Sequence, residues 1–149
     1  MNILTLIAVI GCGIAGGVFF AFSSFVMPAL RRLPAPQGIA AMQQINITAV
    51  TPVFMADFVG TALACLAVLI TGWDDPYLLA GSLLYLIGVF LMTGAYHVPR
   101  NNALDRLDPS APDAADRWAR YYREWTRANH LRALAGIAAS AVLIGGLHG

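Results

Sequence analysis

Long apolar stretches alternate with short polar ones along this sequence. Four of them reach the length of about 20 residues that a helix needs to cross the hydrocarbon core of a bilayer. They run from Ile3 to Leu30, Val50 to Ile70, Tyr77 to Tyr96 and Leu131 to Leu147. Successive spans of one chain cross the bilayer in opposite directions. The pattern predicts an all-α fold, a four-helix transmembrane bundle with up-down-up-down topology, in a single domain over residues 1–149.

Prolines and capping residues predict where these helices begin and end. Pro28 and the LPAP stretch at residues 33–36 should end the first helix, and Pro99 should close the third after Val98. The pair Asp75-Pro76 is typical of a cap followed by a first-turn proline. Residues 110–113 resemble a capping box well before the last apolar stretch. The second and fourth helices are therefore expected to extend beyond the membrane.

The composition of the chain indicates a membrane environment and argues against a nucleic-acid partner. Hydrophobic residues make up 58% of the chain and charged residues 11%, against roughly 25% charged residues in a soluble domain. The lipid bilayer is therefore its expected environment. With a net charge of +1 and no lysine, the chain lacks the field that gathers nucleic acid, so no nucleic-acid partner is expected. Cys12 and Cys65 stand singly in apolar runs, which favours buried small side chains over a redox or zinc pair.

Arginine placement predicts the orientation in the membrane. Arg31 and Arg32 lie between the first two spans, six more arginines lie between the last two, and the remaining connection holds only Asp74 and Asp75. The positive-inside rule then places both arginine-bearing connections in the cytoplasm. We expect a multi-pass protein of the cell (inner) membrane with both termini outside the cytoplasm.

Polar residues are gathered at one end of the predicted bundle. Alternating spans bring these residues to the same face: Ser23, Ser24, Asn46, Asp57, His97 and Asn129 to Arg132. Charged and amide groups at membrane depth each cost several kcal/mol unless they face one another or water. Asn46 and Asp57 are about three turns apart and share a helix face if the helix stays straight. We therefore expect a polar pocket near one leaflet.

The last helix carries an aromatic and polar stripe at helical spacing. Its members fall within roughly 40° of one line: Trp118, Tyr122, Trp125, Asn129, Arg132 and Gly136. Charged residues take the opposite side: Asp116, Arg120, Arg123 and Arg127. Rings leading to an amide and a cation would form the wall and floor of a pocket for a flat aromatic molecule.

Each feature of this pocket also has a purely structural interpretation. The aromatic residues could form an interfacial belt, and Arg132 with Asp57 could be an ion pair that ties the bundle together. His97 could cap a helix C-terminus, and His130 points about 120° away from the stripe, which favours interfacial packing. Small residues four apart, at Gly13 with Gly17 and Gly136 with Ser140, favour close helix packing and are compatible with a homo-oligomer.

Four blocks give the chain a family resemblance. They are GVFFAFSSFVMP at residues 17–28, MQQIN at 42–46, VPRNNAL at 98–104 and WTRANHLR at 125–132. With these blocks the chain resembles the anthrone oxygenase-like family of integral membrane proteins. The resemblance implies four spans and an Asn-His-x-Arg block at residues 129–132, which contains Arg132. Within the family's blocks, the candidate substrate-binding residues are Asn101, Asn102, Asn129 and His130.

The resemblance also implies a chemistry, the oxidation of an activated phenolic or anthrone-type aromatic by O2 with no cofactor. In our hypothesis His97 or Asp57 removes a proton from the substrate, since histidine titrates near neutrality and a desolvated carboxylate is a stronger base. Arg132, Asn129 and Asn46 would stabilise the oxyanion. A hydrophobic aromatic small molecule would stack on the rings of Trp118, Tyr122 and Trp125.

Two other functions stay open at this point. A metal-dependent oxidase would use His97, His130 and Asp57 as ligands, although no two of them have the i, i+4 spacing of a helical metal pair. A non-enzymatic protein that binds a small molecule or lipid, or serves as a subunit of a larger complex, would need no catalytic motif.

Overall fold

The computed structural model describes residues 2–147, which form five helices and no strand. We number them α1 (Ile3–Arg31), α2 (Ala35–Thr48), α3 (Pro52–Thr71), α4 (Pro76–Asp105) and α5 (Ala114–Gly145). All except α2 are long and apolar enough to cross a membrane. The all-α bundle with four spans is confirmed, and the protein is a multi-pass membrane protein.

Two helix starts follow the local chemistry of the sequence. The Asp75 carboxylate accepts hydrogen bonds from the backbone N–H groups of Tyr77 (2.8 Å) and Leu78 (3.1 Å), as the Asp75-Pro76 pair predicts. Thr51 caps α3 in the same way through the N–H of Phe54. In both cases the capping side chain replaces a hydrogen bond that the first helical turn lacks.

Pro28 and Pro99 lie inside helices, so the prediction that these two prolines end them is wrong, whereas α1 does end at Arg31, just before the LPAP stretch. Each follows a widened π-helical turn, Phe22–Val26 before Pro28 and Thr93–His97 before Pro99. In these turns the N–H of Met27 bonds to the carbonyl of Phe22 and that of Val98 to Thr93, five residues back. A wider turn makes room for a proline ring that would clash with the carbonyl four residues earlier in a regular helix.

The extension of the second span is a separate helix, α2, and not a continuation of α3. The helix is interrupted at residues 49–51. Thr51 there has an extended backbone, because the residue before a proline avoids helical geometry. Helix α5 does continue well beyond its apolar part, as predicted, but the predicted capping box does not form. Ser110 instead bonds through its N–H and hydroxyl to the Asp108 carboxylate, and α5 begins at Ala114.

The spans pack around a core of mainly small side chains, which we call the span core: Ala8, Cys12, Ala15, Phe19, Phe58, Ala62, Ala64, Cys65, Val68, Tyr85, Val89, Ala133, Ala139 and Leu143. Helices α1 and α5 approach most tightly at Gly16 and Gly136, where a Cβ on Gly16 would lie 2.7 Å from the Ile137 nitrogen. Ser140 adds a hydrogen bond to the Val9 carbonyl at 2.9 Å. Gly136 and Ser140 therefore serve close packing within the chain, whereas Gly17 faces open space.

A second core joins α2, the C-terminal end of α4 and the first half of α5. We call this end of the bundle the cap, and its interior the cap core: Met27, Leu30, Ile39, Met42, Leu104, Leu107, Ala114, Trp118, Tyr121 and Trp125. The cap covers the arginine-bearing end of the spans. The buried polar side chains at this end of the spans lie at the junction between the span core and the cap core.

Candidate functional site

Arg132 lies at the junction of the two cores and is 4% exposed. Its Nε and Nη2 donate to the Oδ1 of Asn129 at 3.2 and 2.7 Å, and its Nη1 donates to the Thr93 hydroxyl at 3.0 Å. Within the described residues 2–147, no carboxylate lies within 4.0 Å of this guanidinium. A buried cation is thus held by neutral acceptors alone, an arrangement that favours an anionic ligand as its partner.

Asn129 fixes the position of that cation. Its Nδ2 donates to the Phe19 carbonyl and to the Ser23 hydroxyl, both at 2.8 Å, so its oxygen is turned toward Arg132. The guanidinium carbon also lies 3.8 Å from the centre of the Phe19 ring and 5.2 Å from the Trp125 ring. Two aromatic rings and an amide therefore form a preorganised cradle around the charge.

His97 is fully buried beside this cradle, and its imidazole lacks a well-oriented hydrogen bond. The Trp125 ring meets it edge to face at a centroid distance of 5.2 Å. Neither ring nitrogen makes a well-oriented hydrogen bond to another described residue, although the backbone carbonyls of Met92 and Trp125 lie near the ring. Buried polar atoms normally have a partner. Within residues 2–147, a buried imidazole without a well-oriented hydrogen bond thus lies next to a buried cation without a carboxylate partner.

The π-helical turns bring these groups together. Ser23 lies in the turn before Pro28, and Thr93 and His97 lie in the turn before Pro99. Such turns are frequent at functional sites because they re-aim side chains without ending the helix. Sequence reasoning missed Phe19 and Thr93 as members of the site. A threonine one turn before His97, shortly upstream of a proline inside an apolar run, is the signal that could have pointed to Thr93.

Of the predicted site residues, the structure brings together His97, Trp125, Asn129 and Arg132. The asparagines predicted from other blocks lie in the cap instead. Asn46 bonds to the Asp105 carboxylate at 3.2 Å, so it does not share a face with Asp57. Asn101 accepts hydrogen bonds from the Tyr121 hydroxyl (2.8 Å) and the Trp125 indole (3.0 Å), and Asn102 is exposed. Asn101 therefore positions the Trp125 ring but does not reach the cradle.

The aromatic stripe of α5 faces inward as predicted but serves two places. Trp125 joins the cradle, whereas Trp118 and Tyr122 line a groove of about 480 Å³ in the cap, between the end of α1, the start of α2 and α5. Three arginines line it too, so we call it the arginine groove: Arg31, Arg123 and Arg127. The prediction that Trp118, Tyr122 and Trp125 line one pocket together with Arg132 is therefore wrong. The end of α1 packs against one part of the stripe and α2 against another.

Asp57 does not meet Arg132, and the predicted ion pair between them is absent from the described residues. Its side chain is half-buried on α3, with Oδ2 buried and without a hydrogen-bond partner. Phe54, three residues before Asp57 on α3, packs its ring against that of Phe19 at a centroid distance of 6.4 Å. Asp57 therefore lies about one helical turn deeper in the spans than the cradle.

The proposed metal ligands do not converge. His130 is exposed on α5, whereas His97 is fully buried beside Arg132. Among residues 2–147, no three His, Cys, Asp or Glu side chains are placed so that they could hold a metal ion together. The alternative of a metal site built from His97, His130 and Asp57 is therefore corrected.

Over residues 2–147, fold and site define a class: a small multi-pass membrane protein whose four spans enclose an arginine without a carboxylate partner beside a buried histidine without a well-oriented hydrogen bond. The sequence profile of the anthrone oxygenase family matches residues 46–142, and the chain belongs to that family. The match runs from the end of α2 through most of α5 and includes Thr93, His97, Asn129 and Arg132. No curated protein and no solved structure matches the chain.

Proposed function

We propose that this protein is a membrane-embedded oxygenase that oxidises an activated phenolic or anthrone-type aromatic with O2 and without a cofactor. The observation that carries the proposal is the buried Arg132 guanidinium, which has no carboxylate partner and lies beside the orphan imidazole of His97. Membership of the anthrone oxygenase family supports the substrate class.

The residues of the cradle would act on the proton and the charge of the substrate. His97 takes a proton from the acidic methylene of an anthrone, because a neutral imidazole can accept one when the substrate lies within hydrogen-bond distance. Arg132, held by Asn129 and Thr93, stabilises the oxyanion that forms, in a site where water does not compete. The electron-rich anion then reduces O2, so that anthrone and O2 give anthraquinone and water.

Substrate entry requires a local opening, since His97 is fully buried and Arg132 nearly so. The π-helical turn at residues 93–97 is the candidate for that movement, because it carries both Thr93 and His97 and such turns are frequent at functional sites. Such a shift would move Thr93 and His97 together. The Phe19 and Trp125 rings would then receive the flat substrate between them.

The test is O2 consumption and quinone formation by the detergent-purified protein supplied with an anthrone. We expect His97→Gln and Arg132→Met to lower kcat by roughly 100-fold or more, as removal of a general base or an oxyanion donor does. His130→Gln is the matched control, since this histidine is exposed and outside the cradle. Wild-type rates in either cradle variant, or a wild-type protein no faster than buffer, would refute the proposal.

A non-enzymatic protein that binds an aromatic or lipid molecule is the second candidate. The full burial of His97 favours it, because an enzyme must open the site at every turnover. Quenching of Trp fluorescence by an anthraquinone that is lost in Trp125→Phe would report binding at the Trp125 ring, since Trp73 and Trp118 stay in that variant. Binding that depends on Arg132, without any O2 consumption on an anthrone, would favour this carrier function over the oxygenase.

A further inference from the structure

The arginine groove is a second place in the molecule with positive charge that nothing neutralises. Arg31, Arg123 and Arg127 line it, and no acidic residue does. The ion pairs of the described residues lie elsewhere, between Arg100 and Glu124 and between Arg117 and Asp113. Arg31 has only the face of the Tyr122 ring, 5.5 Å from its guanidinium carbon. Three guanidinium groups around one concave surface would attract an anion.

One residue that lines the same groove carries a buried hydroxyl without a hydrogen-bond partner among residues 2–147. Thr126 is 9% exposed, lines the groove, and its Oγ1 has no hydrogen-bond partner. A helical threonine ordinarily returns its hydroxyl to a carbonyl of the preceding turn, as Thr93 does toward Val89. Within residues 2–147 the Thr126 hydroxyl has no such partner, and a small movement of the groove wall would let it donate to an oxygen atom of an anion. This observation is independent of the arginine cluster and is compatible with the same ligand.

The height of the groove in the bundle indicates where the anion comes from. Arg31 is the last residue of a membrane-spanning helix, and Leu33 on the rim is 40% exposed. Trp118 and Tyr122 line the groove with rings of the kind that settle at headgroup level. Basic pockets at this depth suit the headgroups of anionic lipids. We propose that the arginine groove binds the phosphate group of an anionic phospholipid, a site separate from the cradle around Arg132.

The experiment measures lipid binding to the full chain in detergent by native mass spectrometry, with phosphatidylglycerol and phosphatidylcholine of identical acyl chains. We expect the wild-type protein to prefer phosphatidylglycerol. The double variant Arg123→Gln/Arg127→Gln should weaken that binding by about twenty-five-fold, which is five-fold for each arginine. The control Arg32→Gln/Arg106→Gln removes the same charge from exposed arginines that do not line the groove, and should retain the preference.

Thr126→Val gives a second, isosteric test that does not alter charge. It should weaken phosphatidylglycerol binding by about five-fold, because the hydroxyl loses a hydrogen bond to a charged group. Equal affinity of the wild-type protein for both lipids, or equal losses in groove and control variants of unchanged helicity, would overturn the proposal. Displacement of the lipid by millimolar inorganic phosphate would assign the groove to a soluble anion and also overturn it. Anthrone oxidation does not enter these readouts.

Discussion

The span core and the cap core of this short chain are built from opposite kinds of side chain. The span core consists largely of alanine and cysteine around two close glycines, whereas the cap core consists of methionine, leucine, isoleucine and large aromatic residues. Lipid offers no hydrophobic drive for helices to associate, so the spans depend on close contact of backbones. The cap carries the charged surface and gains from removing large apolar side chains from water. Arg132 lies at the boundary between the span core and the cap core.

The largest effect is expected from filling the close approach in the span core. Gly136→Leu places atoms against the backbone of Gly16, where a Cβ alone would lie 2.8 Å from the Gly16 Cα. The helices must move apart, which should lower the free energy of unfolding by about 3 kcal/mol or more. Unfolding in mixed detergent, followed by circular dichroism, measures it. Gly17→Leu is the control, because nothing lies within 4 Å of that Cβ position; equal losses would refute close packing as the basis of the span core.

A cavity in the cap core should cost somewhat less. Met42 is 1% exposed, and Met42→Ala should lower the free energy of unfolding by about 2–3 kcal/mol, since it removes buried methylene groups and leaves a void. The same unfolding titration applies. Ile47→Ala on the same helix changes a side chain that is 62% exposed and should have little effect. A cap core that tolerated Met42→Ala as well as Ile47→Ala would not be a packed core.

A smaller loss is expected from one polar contact that fastens the cap to the site. Tyr121→Phe removes the hydrogen bond to Asn101 and should lower the free energy of unfolding by about 1 kcal/mol. The Asn101 oxygen keeps the Trp125 indole as a donor, so it is not left unpaired. Tyr122→Phe serves as the comparison, since no hydrogen bond of that hydroxyl is found within residues 2–147. If both variants lose the same stability, the Asn101 contact contributes nothing.

The smallest effect is expected at the surface of the cap. Arg100 and Glu124 form an ion pair at 3.1 Å with side chains 31% and 39% exposed. Exposed pairs of this kind contribute roughly 0.5 kcal/mol, so Glu124→Gln should change stability by no more than about that amount. Repeating the titration at high salt should remove the difference, because salt screens exposed charges. Asp74→Asn, in the turn at the other end of the bundle, gives the baseline for losing one carboxylate.

The four spans could be predicted because apolar length and charge exclusion are local properties of the chain. The inward face of α5 could be predicted for a similar reason, since a regular helix preserves its stripe: Arg132 and Trp125 are buried, and Arg123 and Arg127 are exposed. The same periodicity identified Gly136 as a packing position. It could not select Gly16 over its neighbour Gly17, because the contact face of α1 depends on which helix packs against it.

The partners of Arg132 could not be predicted from spacing alone. Counting residues placed Asp57 on the shared face only while the helix stayed straight, and the break before Pro52 removed that condition. Proline rules predicted helix ends at Pro28 and Pro99, where the tertiary structure instead widened one turn and kept each helix intact. Thr93 entered the site through that widening. Helix propensity describes the free-energy cost of a proline inside a regular helix, but it does not describe how the packed bundle accommodates that proline by widening a turn.

The widened turn at residues 93–97 makes the aim of His97 depend on the number of residues in the helix as well as on their identity. Each residue advances a regular helix by about 100° around its axis. Deleting one residue such as Ala95 would remove the extra residue that the widened turn accommodates, and would rotate the part of the helix on one side of the turn against the part on the other side. The imidazole would swing away from the guanidinium although both side chains remained in the chain, so spacing itself acts here as a determinant of the site.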